Sequence, residues 1–311
     1  MPNDFNQQVI EEFRSNAGQV GGYFEGARLL LLTTTGARTG TRHTTPVGYL
    51  PDGDRVLVIA SAGGAPKQPD WFRNLLVHPQ VTVETGVFTY EARAVVLAGE
   101  ERDQIFARAV EAEPGWAEYQ AKTDRVIPVV ALHEIPSDGP PNVAASSMGE
   151  YLKLVHGAFR RELSLIRKEF ADAGPGTTAL GAQLRVNCLT FCQGLHNHHT
   201  GEDVAMFPAL AARHPELAPT IERLSQEHEQ IAALVEELKA VIDAAGPGSE
   251  GDPTPVRTEL ARTELARTDL ARTELAHREL VRKEVDRLTD ALEAHLTYEE
   301  EQLIPIFDAP A

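Results

Sequence analysis

His196-Asn197-His198-His199-Thr200-Gly201-Glu202-Asp203, followed by Met206-Phe207-Pro208, concentrates metal-ligand side chains on what reads as the end of a helix. Imidazole nitrogen and carboxylate oxygen together suit iron, zinc or manganese. A spacing of four puts His198 and Glu202 one turn apart on one helix face. A solvated acid at a helix end gives the same pair, so the reading turns on whether other helices bring partners to the same height.

Between 149 and 304 four heptad-like stripes each carry a ligand-type residue at a position otherwise filled by core residues. The first runs Leu152, His156, Phe159, Leu163, Ile166, Phe170, and the second Leu184, Cys188, Phe191, Leu195, His198, Glu202. The third runs Ile221, Leu224, His228, Ile231, Val235, Leu238, and the fourth Leu288, Leu292, His295, Glu299, Leu303. Polar groups on an apolar stripe need partners, because burial of an unpaired imidazole or carboxylate is costly. In an up-down-up-down bundle the start of helix one, the end of helix two, the start of helix three and the end of helix four share one end of the molecule. His156 and His228 lie early in their helices; His198, Glu202, His295 and Glu299 lie late. A metal site inside one end of a four-helix bundle requires this arrangement.

His156, the His198-His199-x-x-Glu202-Asp203 run with Phe207-Pro208, the Glu227-His228 pair and His295-x-x-x-Glu299 resemble the hemerythrin-like family, four-helix bundles that hold a non-haem di-iron centre. The resemblance spans residues 149 to 308. It implies two non-haem iron ions bridged by Glu202 and Glu299, with terminal imidazoles from His156, His198, His228 and His295. Positions would stay open for oxygen, peroxide, nitric oxide or water. Oxygen-carrying hemerythrins place a second histidine one turn after the helix-three ligand, and that position here is Ala232. The departure argues against reversible oxygen storage and for a redox-active, sensing or iron-holding site. Register disfavours His196 and His199 as ligands, although a shift of one residue in helix phase would promote His199.

The whole chain, at 311 residues, is long enough for two domains with separate cores. A formal charge of -17 argues against nucleic acid and anionic membrane surfaces as partners. No apolar run approaches the roughly 20 residues of a transmembrane span, and the N-terminus lacks a basic-then-apolar signal pattern. The two cysteines, Cys188 and Cys192, sit one turn apart on one helix, which suits neither a disulfide framework nor zinc; Cys188 reads as a small buried hydrophobe. The chain is expected to be cytoplasmic, and its composition is compatible with a homo-oligomer.

Residues 4 to 15 pattern as a short amphipathic helix with Phe5, Val9 and Phe13 on one face. The period then becomes that of strands: Leu29 to Thr35, Thr44 to Leu50, Arg55 to Ser61, Val81 to Glu84, Thr89 to Leu97 and Val126 to Glu134, with a tight turn at Pro51-Asp52-Gly53-Asp54 and helices at 100 to 112 and 114 to 122. Mostly consecutive strands point to a small antiparallel barrel rather than a doubly wound sheet. Two loops look chemical. Thr33-Thr34-Thr35-Gly36-Ala37-Arg38-Thr39-Gly40-Thr41-Arg42-His43 gathers hydroxyls, N–H groups and cations suited to a phosphate or carboxylate. Ser61-Ala62-Gly63-Gly64-Ala65-Pro66-Lys67-Gln68-Pro69-Asp70-Trp71-Phe72-Arg73-Asn74-Leu75 is a glycine-rich loop entering a short helix, where Trp71 offers a flat surface.

The Leu-Leu-Leu-Thr-Thr-Thr-Gly-x-Arg-Thr-Gly run ending at Gly40, then Thr45-Pro46, Ala60-Ser61, Pro69-x-Trp71-x-x-Asn74-Leu75 and Tyr119-Gln120-x-x-Thr123-Asp124-Arg125-x-Ile127-Pro128, resemble the deazaflavin-dependent nitroreductase family. That family has a split β-barrel and uses reduced coenzyme F420; split barrels of similar shape bind FMN, the alternative cofactor. The resemblance implies that Arg38, Thr39, Arg42 and His43 hold the cofactor's phosphate and acidic tail, that Pro46, Val47, Ala60, Ser61, Trp71 and Asn74 line the ring site, and that Tyr119 stands at the substrate side; Tyr119 and solvent are the candidate proton donors. Ala37 and Ala62 stand where family members often carry basic residues, so fewer cations face the tail.

The expected fold is therefore multidomain α+β: a split β-barrel over 1–135, a linker over 136–148 and a hemerythrin-like up-down four-helix bundle over 149–311. Within the bundle, Gly174-Pro175-Gly176 separates helices one and two, and Pro215 to Pro219 separates two and three. Residues 257–276 repeat Arg-Thr-Glu-Leu-Ala, with Asp269 once replacing Glu. Five residues advance about 140° around a helix, so the repeat leucines spiral and the segment reads as a helical extension facing solvent or a partner. The leading expectation is an oxidoreductase in which reduced deazaflavin reduces a small conjugated electrophile, quinone or nitroaromatic in type, while the iron domain handles oxygen, peroxide or nitric oxide. A quinone-like acceptor reduced at the barrel and reoxidised near the iron would reconcile hydride with one-electron chemistry. The alternative is a non-catalytic redox or oxygen sensor, or an iron-binding protein, with a flavin-binding barrel.

Overall fold

A computed structural model describes residues 4–136, 142–143, 145–172, 182–244 and 260–309. Backbone contacts divide the chain into two compact units, Met1–Ala158 with Phe307–Ala311, and Phe159–Ile306. The boundary falls inside one unbroken helix, Met148–Asp172, which is described with the second unit.

In the first unit, β1 (Leu29–Thr35), β2 (Arg42–Asp52), β3 (Arg55–Ile59), β4 (Gln80–Thr85), β5 (Phe88–Val96) and β6 (Val129–Glu134) pair antiparallel in the order β4-β1-β2-β3-β6-β5. Pairing of β4 with β5 closes the sheet into a barrel, which removes its open edges. The apolar run of β1 is uninterrupted because both its faces are covered. Leu30 and Leu32 join Val47, Val58 and Val83 in one core, while Leu29 and Leu31 join Val9, Ile10 and Phe13 of α1 (Asp4–Ser15) in another. The β2–β3 hairpin pairs Asp52 with Arg55 around Gly53, whose φ of 69° is the left-handed conformation that a two-residue turn needs. Helices α2 (Asp70–Val77), α3 (Gly99–Ala112) and α4 (Gly115–Ala121) complete the unit.

Part of the expected linker is strand: β7 (Asn142–Val143) pairs with Phe88 and Thr89 of β5. Residues 137–141 and 144 of that linker lie outside the described residues.

The second unit is helical, with α5 (Met148–Asp172), α6 (Ala182–Gly201), α7 (Phe207–Arg213), α8 (Ala218–Ala244) and α9 (Leu260–Phe307). One core is shared by the four long helices: Ile166 and Phe170 from α5, Cys188, Cys192 and Leu195 from α6, Ile231 and Val235 from α8, and Val285, Leu288 and Leu292 from α9. A single π turn, Glu202–Met206, joins α6 to α7, and a 3-10 turn at Pro215–Leu217 stands at the second expected break. The first expected break, at Gly174 to Gly176, lies outside the described residues, as do repeat residues 257–259 and most repeat side chains. The repeat backbone from Leu260 is continuous with α9, and Leu275 is exposed. Among the described residues no helix is long and apolar enough to cross a membrane.

Both cysteines are buried in the bundle core, and burial pushes the Cys192 thiol up to about 12. A raised thiol pKa leaves almost no thiolate, the reactive form, near neutral pH. Iodoacetamide at pH 8 is therefore expected to leave Cys188 and Cys192 unmodified in the native protein and to label both in denaturant, as read by intact mass; rapid native labelling would contradict this packing.

Candidate functional site

The first loop of the barrel closes on itself, Gly36 N–H donating to Thr41 O at 2.8 Å and Gly40 N–H to Gly36 O at 2.9 Å. A Cβ on Gly36 would stand 2.9 Å from Thr39 Oγ1, 3.1 Å from Thr41 O and 3.2 Å from His43 Nε2, so any larger residue there would have to displace its neighbours. Asn74 of α2 pins the loop: its Nδ2 donates to Thr34 Oγ1 at 3.1 Å, and its Oδ1 accepts the Ala37 N–H at 3.0 Å. Arg38, Thr39, Arg42 and His43 are all exposed. Arg42 donates to Thr82, whose hydroxyl donates to Glu91, and these three help line a depression of about 390 Å³ with Arg93, His78 and Thr35. Arg42 and Arg93 outweigh the one Glu91 carboxylate and stand with several hydroxyls around the depression, which fits an anionic group; Arg38, Thr39 and His43 are not among its lining residues.

The glycine-rich loop is locked by Arg125. Its guanidinium donates to Ala60 O at 3.0 Å, Ser61 O at 2.5 Å, Ala65 O at 2.9 Å and Gln68 Oε1 at 2.9 Å. Burial pulls its pKa down. Arg125 lies in the Tyr119–Pro128 motif, but partners some sixty positions away leave no local signal of its role. On the other side of the loop, a Cβ on Gly64 would lie 2.7 Å from Tyr119 O, so α4 lies directly against the loop backbone. A hydrogen bond with Tyr23 raises the Tyr119 hydroxyl above its usual pKa, and the Trp116 ring stands edge-on to Tyr119 at 5.9 Å.

Among the remaining expected ring-site residues, Pro46 and Ser61 are half-buried, whereas Val47, Ala60 and Trp71 belong to the barrel core. Trp71 presents no flat face to solvent, because α2 turns Trp71, Phe72 and Leu75 together into the barrel.

In the bundle, His156, His199, His228, His295, Glu202 and Glu299 are buried, Glu299 at 0% exposure, and His198 is half-buried. His156, His198 and Glu202 form one group, and His199, His228 and His295 another, in each of which the ligand atoms lie within 4.8 Å of one another. His228 Nε2 faces His295 Nε2 at 3.1 Å. Behind them, His295 Nδ1 donates to Glu227 Oε2 at 3.0 Å, and His228 Nδ1 stands 3.0 Å from Asp203 Oδ1. Arg223 holds Glu227 at 2.8 Å, and Ser225 holds Asp203 at 3.1 Å. The Glu227 carboxylate favours the proton on His295 Nδ1, which leaves His295 Nε2 as a potential metal ligand facing His228 Nε2.

Glu202 Oε1 lies 3.1 Å from His198 Nε2 and Glu202 Oε2 lies 3.5 Å from His228 Nε2, and neither oxygen accepts a hydrogen bond. Burial, then the Glu299 and Asp203 charges, raises the Glu202 carboxyl well above its ordinary value. Burial likewise lowers His295. Glu227, which burial would raise, is held low by hydrogen bonds from Arg223 and His295. Buried imidazole nitrogens gathered around buried carboxylates, with neither Glu202 oxygen hydrogen-bonded, form a donor set that fits a non-haem metal ion. His199 joins the cluster despite its disfavoured register, because the buried stripe of α6 is two residues wide: Phe191 and Cys192 are both buried.

Residues 6–134 match the model of the family described as F420H(2)-dependent quinone reductase, and residues 147–267 match the hemerythrin HHE cation binding domain. The first part is 36% identical over 124 residues to an F420H(2)-dependent quinone reductase of Mycobacterium tuberculosis (strain ATCC 25618 / H37Rv), covering 39% of this chain and 83% of that one. The protein of the same description from strain CDC 1551 / Oshkosh gives the same figures. A solved structure described as an F420-H2 dependent reductase is 40% identical, covers 34% of this chain and 94% of its own, and superposes with a TM-score of 0.32. Barrel, loops and kinship agree: the chain belongs to the F420H(2)-dependent quinone reductase family, with a hemerythrin-type cation-binding domain joined to its barrel.

Proposed function

We propose that this oxidoreductase binds reduced coenzyme F420 at the barrel and reduces a small conjugated electrophile, quinone-like or nitroaromatic, while the bundle holds two non-haem iron ions that meet oxygen, peroxide or nitric oxide. The observation that carries the barrel reading is the pair of clamps, buried Asn74 and half-buried Arg125, each spending its side chain on fixing a loop. Loops fixed in this way are preorganised, which lowers the ordering cost of binding.

Arg38, Thr39, Arg42 and His43 would hold the cofactor's phosphate and acidic tail, a role that their exposure and the polar depression beside Arg42 support. Pro46, Ser61 and the backbone at Val47 and Ala60 would border the ring; Trp71 and Asn74 would shape that border from the core. The same phosphate contacts would serve FMN, and the family kinship favours F420. Tyr119 would border the acceptor, its hydroxyl held by the hydrogen bond with Tyr23 that raises its pKa. In the bundle His156, His198, Glu202, His228, His295 and Glu299 would hold metal, oriented by Asp203 and Glu227. When bound, reduced deazaflavin supplies a hydride and the irons supply one-electron exchange.

The test is anaerobic oxidation of reduced F420 by purified protein with menadione as acceptor. Turnover above the uncatalysed rate is expected; if reduced F420 is neither bound nor oxidised with any quinone, the barrel reading fails. Arg42→Ala removes a contact of the charge-assisted class, about 1.5–3 kcal/mol. It is expected to raise KM for reduced F420 roughly tenfold or more while leaving kcat and the menadione KM nearly unchanged.

A buried carboxyl whose pKa rises on folding binds its proton more tightly in the fold. Stability of the metal-free protein therefore falls as pH climbs past the ordinary carboxylate value, 4.5 for this side chain, and the penalty is fully present once Glu202 ionises in the fold. Glu202→Gln is expected to melt higher than wild type when both are metal-free at pH 7, by roughly 2–4 °C per ~1 kcal/mol of relieved burial, and to bind less iron. A metal-free variant that melts lower than wild type would count against this account of the buried carboxylates.

A further inference from the structure

We infer that His199 is a metal ligand, completing a three-imidazole site with His228 and His295; the inference rests on the proposed metal centre and goes beyond its six residues. The HxxxE spacing draws attention to His198 and Glu202, and α8 supplies no second imidazole, because the position one turn beyond His228 is the exposed Ala232. The fold supplies that imidazole from α6. His199 is 6% exposed, and its ligand nitrogen lies with those of His228 and His295 inside a 4.8 Å sphere. Its ring stacks on His228 at 4.1 Å and stands edge-on to His295 at 5.2 Å. Two positions earlier, His196 is exposed, so the burial of His199 is particular to its place on the helix.

The consequence is a centre with unequal halves. One half is nitrogen-rich, with His199, His228 and His295; the other combines His156 and His198 with the Glu202 carboxylate. Three imidazoles favour borderline ions such as cobalt, iron and zinc more strongly than a mixed set with fewer nitrogens, so the halves fill with different affinities and different ligand fields.

The test is anaerobic titration of the metal-free, full-length protein with Co(II), read by visible absorption and by metal analysis after equilibrium dialysis. Wild type is expected to take up two equivalents in two distinguishable steps. His199→Ala is expected to keep only one, with the spectrum of the other half. His199→Gln, which keeps a polar side chain of similar size, guards against misfolding and is expected to behave as His199→Ala does, while His196→Ala retains both equivalents. If both His199 variants, folded by circular dichroism, still bind two equivalents with the wild-type spectrum, His199 is no ligand. If wild type binds no Co(II), the metal centre itself falls, an outcome distinct from the failure of His199 alone.

Discussion

Carboxylates and imidazoles buried among leucines are the most expensive groups in this chain, and the helical unit is organised around holding them. Each ionised group withdrawn from solvent must recover its lost hydration from a partner. The recovery comes in layers. Asp203 and Glu227 take the Nδ1 side of two imidazoles, and these carboxylates are held in turn by Ser225 and Arg223. What the protein does not neutralise, the oxygens of Glu202, is what a cation would. Apolar burial along the rest of the four long helices, from Ile166 to Leu292, offsets the residual cost.

The barrel solves a different problem by similar means. A loop that must present backbone and hydroxyl groups to a ligand loses affinity if it also samples other shapes. Asn74 ties one loop through an amide that both donates and accepts, and Arg125 ties the other by collecting three carbonyls and an amide oxygen. Arginine suits this task because its planar fork presents five donors and cannot lose its charge. In both units a polar side chain beneath the surface decides the geometry of the groups above it.

How much of this can be read from residues alone depends on the range of the interaction. The six strands and the helices around them fall close to where residue type and turn chemistry put them, because the apolar and β-branched run at Leu29–Thr35 and the Gly53 turn are local facts. The apolar stripes with their polar interruptions also survive, since one helix face repeats every turn. Three features escape that reasoning. Trp71 looks like a platform in sequence but lies in the core, because α2 tilts its aromatic face inward. β7 hides in a stretch whose composition is that of a linker, since two residues can join a sheet edge without any strand pattern. The third is His199, where a strict spacing of three and four misses a stripe two residues wide at its last turn.

α9 runs for 48 residues, and among its described side chains the first buried position is Val281, beyond the last Arg-Thr-Glu-Leu-Ala unit. Each unit adds about 7.5 Å of helix and turns it by about 140°. Gained or lost ahead of Val281, a unit changes the reach of the helix without rotating His295 or Glu299 relative to the core. The repeat thus lies upstream of the anchored register, where a change in copy number alters helix length and leaves the phase of His295 and Glu299 against the core as it is.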